Sequence, residues 1–111
     1  MAHKNAIDKN VRFNPVNSID FMPGAVVSRQ ILKNKSGNIT VFAFDEGEEL
    51  SEHTAPFDAV IHVLEGELKV TIGGKPNLLS GSEAIIMEAG IPHSLVAATA
   101  VKFILTMIKG E

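Results

Sequence analysis

From Ala25 onward the apolar residues come in short runs broken at close intervals by Gly, Pro and Asn, a spacing that predicts strands rather than helices. One run, Glu67 to Ile72, alternates cleanly. Leu68, Val70 and Ile72 face one way and Glu67, Lys69 and Thr71 the other, as on a half-buried strand. Other strand candidates are Ala25–Leu32, Ile39–Phe44, Ala59–Leu64, Asn77–Leu79, Ala84–Met87, Ser94–Ala97 and Val101–Ile108. Met22-Pro23-Gly24, the stretch Lys33–Asn38, Glu65-Gly66 and Gly73-Gly74 supply turn signals, and the last two read as tight hairpins. No window carries a helical period, and there is no internal repeat. The pattern predicts an all-β sandwich or barrel over residues 25–111, preceded by a polar, Pro-broken lead-in over residues 1–24.

The last run changes this picture. Phe103, Leu105 and Met107 share one face, Ile104 and Ile108 the other, and only Thr106 among these is polar. A strand that is apolar on both faces needs two covers. Either it is enclosed by its own sandwich or a second copy of the chain covers it, so a homodimer is an expectation from this strand.

Composition removes several function classes. With 10 Lys and Arg against 13 Asp and Glu, the chain carries a formal charge of −3 and lacks the basic surface that nucleic acid requires. Lys33-Asn34-Lys35 reads as a solvated turn. There is no Cys, which excludes disulfides, thiolate ligands and a Cys nucleophile. No Trp or Tyr offers a stacking platform for sugars or bases. The first ten residues are polar, without the apolar core of a secretory signal, and no apolar run reaches membrane-spanning length. These features predict a cytoplasmic protein with no membrane and no nucleic-acid partner.

Two segments about thirty residues apart carry the candidate chemistry. Gly47 leads to His53 and then to Val63-Leu64-Glu65-Gly66-Glu67; Gly81 leads to Gly90-Ile91-Pro92-His93. Each places one histidine beside a turn. This pair of segments resembles the two sequence motifs of the cupins, in particular the small single-domain cupins of the conserved-barrel, RmlC-like type, over roughly residues 25–109. The resemblance implies a double-stranded β-helix, or jelly-roll, barrel, commonly a homodimer, with a divalent metal ion (Fe, Zn, Mn or Ni) at its centre. It also exposes departures. Ala55 stands where the first motif has its second His, and Ala59 where it has a Glu, sometimes a Gln or His. Glu88 replaces the usual Pro of the second motif, one residue further from Gly81. Of the four usual ligand positions only those of His53 and His93 keep a histidine.

His53 and His93 are therefore the first candidates for metal ligands, against the alternatives of a surface histidine and a hydrogen-bonded rim histidine. Pro92 holds Ile91 extended and aims the residue that follows. His62 is the third candidate. Strict alternation along Ala59–Leu64 turns it away from the pocket, whereas a bulge after Pro56-Phe57-Asp58 reverses this and supplies a third donor. Asp58 and Glu52 are the nearest carboxylates, but Asp58 after Pro-Phe suits a turn's own hydrogen bonds and the acidic run at Glu49–Glu52 suits solvent. Phe42, Phe44, Met87 and Phe103 sit at strand spacing and read as core.

Two function classes follow. One is a barrel that binds a divalent metal weakly through two or three histidines together with a small organic ligand, the metal activating oxygen or polarising a carbonyl. The other is a non-catalytic, dimeric small-molecule-binding or sensor module with a degenerate metal site. An interaction protein that recruits a partner through an exposed sheet is a third reading. The residues leave the choice between enzyme and binding module open.

Overall fold

The computed structural model describes the backbone of residues 2–3 and 6–110, and the side chains of 6–110. Its strands are β1 (Ala2–His3), β2 (Val26–Asn34), β3 (Gly37–Phe44), β4 (Glu49–His53), β5 (Asp58–Glu65), β6 (Glu67–Ile72), β7 (Lys75–Ser80), β8 (Ala84–Met87), β9 (His93–Ala97) and β10 (Val101–Ile108). Among the described residues a single 3-10 turn covers Pro15–Ser18, with Asn14 accepting from Val16 N at its start. One sheet runs β1-β2-β3-β10-β5-β8 and the other β4-β9-β6-β7. All pairings are antiparallel except the parallel β1–β2 pair. This is the predicted jelly roll. Among the described residues no helix is long and apolar enough to cross a membrane.

The inward-facing residues follow from the period-2 reading. Ala59, Ile61 and Val63 on β5, Leu68 and Val70 on β6, Leu95 and Ala97 on β9, and Val101 and Phe103 on β10 form one buried cluster. At its centre Phe103 stacks on Phe42 at 5.2 Å and meets Phe44 edge-on at 5.1 Å, contacts worth about 0.5–1.5 kcal/mol each beyond burial.

Glu65-Gly66 is not a hairpin. β5 pairs with β10 and β8, and β6 pairs with β7 and β9, so the chain passes here from one sheet to the other. Gly66 makes this corner with φ +85°, pressed against the Ala100 carbonyl where a Cβ would collide. Local pattern shows that the chain turns, but not whether the next strand pairs. Gly73-Gly74 is the predicted hairpin: both residues have positive φ (56° and 81°), as a two-residue primed turn demands.

The outer face of the six-stranded sheet is covered in part by the lead-in. Ile19, 1% exposed, packs on Val27, Val41 and Ala43, with Ile31, Leu64 and Ile104 at the margin. Arg29 Nη1 donates to Ser18 O at 2.8 Å and the buried Lys102 Nζ to Val16 O at 2.7 Å. Lys102 also lies 3.6 Å from Glu65 Oε1 and 5.0 Å from the Phe21 ring centre. Residues 15–21 thus serve the barrel as cover, and part of β10's outer face is enclosed by its own chain.

Candidate functional site

The two ends of the barrel are built differently. At one end the corners between sheets are tied by backbone hydrogen bonds, Gly47 N to Ala97 O and Ala97 N to Glu48 O, with the Thr99 hydroxyl accepting from Glu67 N. At the other end three loops meet. Gly90 N donates to Ala55 O, Gly73 N to Pro92 O, and Ala89 N to the Asp58 carboxylate at 2.8 Å. This second end is the mouth, and both motif histidines lie in it.

His93 opens β9 and continues the inward set of Leu95 and Ala97. His53 closes β4, a strand the periodicity did not reveal because its five residues, Glu49–His53, are mostly polar and exposed. Leu50 pairs with Leu95 and His53 with His93, three steps on one strand against two on the other. The extra residue is a bulge. Without it His53 would face outward. The bulge that turns a histidine thus sits on β4, beside His53, whereas β5 pairs regularly from Asp58 to Val63 and slips only at Leu64, opposite Lys102 and Phe103.

The rings of His53 and His93 meet edge to face, centroids 4.4 Å apart at 67°. His53 Nδ1 lies 2.7 Å from Ser51 O and His93 Nδ1 3.2 Å from Ile91 O. A carbonyl only accepts, so each Nδ1 carries the proton and donates it. In the neutral rings this leaves each Nε2 as an acceptor or ligand. His93 is buried and His53 exposed, so the pair spans the step from core to solvent.

His62 is not part of this pair. Ile61 and Val63 face the core, and His62 stands exposed on the opposite face between Ile104 and Ala84. Asp58 is engaged by Ala89 N, and Glu49 and Glu52 are exposed. Ala59 lies on the inner face between Met107 and Met87, so a methyl group occupies that ligand position. Among the described residues no group of three His, Asp or Glu is placed to hold a metal. Two imidazoles fall short of the three protein donors that zinc sites normally take, so this donor set does not fit a resident metal.

A cavity of about 230 Å³ lies on the inward face of β2, β3 and β10, toward the histidine end of the barrel. Phe42 and Met107 give it an apolar floor; Gln30, Lys33, Asn38 and Thr40 give it a polar wall. Met107 pairs with both Asn38 and Ala59, which places this wall in the transverse row that ends the barrel on the histidine side. Sequence reading passed over these residues. Lys33 lies in a strand rather than in the solvated turn that the sequence predicts: β2 runs on to Asn34 and Lys33 pairs with Asn38. The available signal was the Ser28/Gln30 alternation, which puts polar groups on the face that Val26 turns to the core. A second hollow of about 270 Å³ lies at the rim beside Leu32, Ile39, Thr106 and Ile108.

Comparison with known proteins agrees with this architecture. Residues 40–109 match the family model described as cupin domain. A conserved protein of unknown function from Streptococcus pyogenes is 30% identical, with a TM-score of 0.91 over all of this chain and 97% of that one. A Cupin 2 conserved barrel domain protein from Leptotrichia buccalis is 34% identical (TM-score 0.84), covering 87% of this chain and 47% of the other. A cupin superfamily protein from Desulfitobacterium hafniense DCB-2, 22% identical with a TM-score of 0.85 over 96% of this chain and 97% of that one, shares the fold. No curated protein matches significantly.

Proposed function

The chain belongs to the cupin domain family, and from that premise we propose that its barrel mouth binds a small organic ligand, with His53 and His93 as the polar anchor. The observation that carries this reading is the pair itself. Both Nδ1 protons are tied to backbone carbonyls, so each Nε2 keeps its acceptor capacity, at the same end of the barrel as a cavity with an apolar floor. A ligand hydroxyl or enol donating to either Nε2 satisfies them. Ligand-observed NMR with a small-fragment library tests this: hits should compete with one another and disappear in the double variant His53→Ala/His93→Ala. Hits that bind that variant unchanged would remove the histidines from the site.

A second reading is favoured by the same two nitrogens: a divalent metal held weakly by both imidazoles, the ligand or water completing its shell. No chemical step is assigned to it, because Ala55 and Ala59 leave the donor set at two.

The binding barrel is also proposed to work as a homodimer. An outer row, Leu32–Ile39–Thr106–Val60–Ile86, crosses five strands beyond the reach of Ile19, and its ends are exposed by 42% at Leu32 and 71% at Ile86. A second copy covers such a row without new chemistry. Light scattering after size exclusion should give a dimer for the native chain and a monomer for Ile86→Glu; a native monomer refutes this.

A further inference from the structure

The polar wall of the mouth specifies more than a generic small molecule. Four of its side chains, Gln30, Lys33, Asn38 and Thr40, bring hydrogen-bond donors to one side of the cavity. Lys33 is the sole cation among the lining residues, and no acidic side chain lines the cavity. No ion pair engages Lys33 among the described residues, where the salt bridge is Lys102–Glu65. On a chain of net charge −3, this is a local site of opposite sign. The donors come from neighbouring strands in fixed register: Gln30 pairs with Thr40 and Lys33 with Asn38. The register itself depends on a bulge. β2 and β3 slip by one residue between Gln30 and Leu32, so Leu32 pairs outward with Ile39 and Lys33 turns back to the cavity side. Without that slip Lys33 would face solvent on the far side of the sheet.

Resting on the reading of the mouth as a binding site, we propose that its ligand is a small carboxylic acid. The carboxylate sits against Lys33 and the amide and hydroxyl donors of Gln30, Asn38 and Thr40, and the apolar body lies on Phe42 and Met107. A charged donor beside neutral ones is what a carboxylate needs, since charge-assisted hydrogen bonds are about twice as strong as neutral ones. The volume, about 230 Å³, is below the roughly 300–1,000 Å³ of sites for drug-sized molecules and sets the class at one ring or a short chain.

Benzoate and its neutral isostere benzamide are the probes, followed by amide and imidazole chemical shifts of the isotope-labelled native chain and of Lys33→Met. Benzoate should shift the amides of Gln30, Lys33, Asn38 and Thr40 and bind about tenfold more tightly than benzamide, the difference one charge-assisted contact makes. In Lys33→Met that preference should vanish, the loss of affinity being larger for benzoate than for benzamide. Equal affinity of the two probes at the mouth, or a benzoate preference that survives Lys33→Met, overturns the carboxylate assignment and leaves the binding barrel standing. Absence of any shift at the mouth with either probe overturns both.

Discussion

The closed end of the barrel and its mouth are made from the same strands, yet they are built for opposite purposes. Along β10, Val101 and Phe103 are fully buried at the closed end, while Leu105 and Met107, on the same inward face, are half-exposed at the mouth. Along β3, Phe44 is fully buried, whereas Thr40 borders the cavity and Asn38 ends the row. One end spends its inward positions on aromatic packing. The other turns polar within a few residues and admits solvent. Aromatic packing and the polar mouth are therefore separated along each strand by about four residues, or roughly 13 Å.

That separation can be broken directly. Phe103→Ala removes a ring in contact with two others and should cost about 3–5 kcal/mol, whereas Met107→Ala at the mouth should cost about 1–2 kcal/mol. Denaturant unfolding of both variants measures the contrast; equal losses would mean that the mouth is as much a part of the packed core as the closed end. The glycines sharpen it. Gly66→Ala sets a Cβ against the Ala100 carbonyl in a positive-φ corner and should cost about 3 kcal/mol, whereas Gly74→Ala has φ +81° but open space around it and should cost about 1 kcal/mol. The smallest effect belongs to the site. His53→Ala, at an exposed position, should change stability by no more than about 0.5 kcal/mol while weakening fragment binding.

The two ends were not equally legible in the sequence. The regular strands follow from alternation: Leu68/Val70/Ile72 and Phe103/Leu105/Met107 point where period 2 sends them, and the jelly roll follows from those strands and the two motif segments. The mouth depends on irregularities that alternation does not encode. One residue of slip in β4 turns His53 inward and another in β2 turns Lys33 to the cavity, and neither bulge has a Gly to announce it. His62, where the pattern is regular, went where strict alternation sent it. Glu65-Gly66 misled for another reason: a turn signal is local, and the strand that follows chose its partners from the opposite sheet. The covering role of Ile19 was hidden because a single apolar residue in a polar lead-in has no periodicity to betray it.

The central proposal is that the two-histidine mouth anchors an organic ligand and holds a divalent metal weakly at most. The most direct test is metal content by plasma mass spectrometry on untagged protein purified without chelators, beside the His53→Ala/His93→Ala variant. The account predicts only trace metal, well below one ion per chain and the same in both proteins. A stoichiometric divalent ion in the native chain that is lost from the double variant would contradict it, and would make His53 and His93 the ligands of a true metal centre.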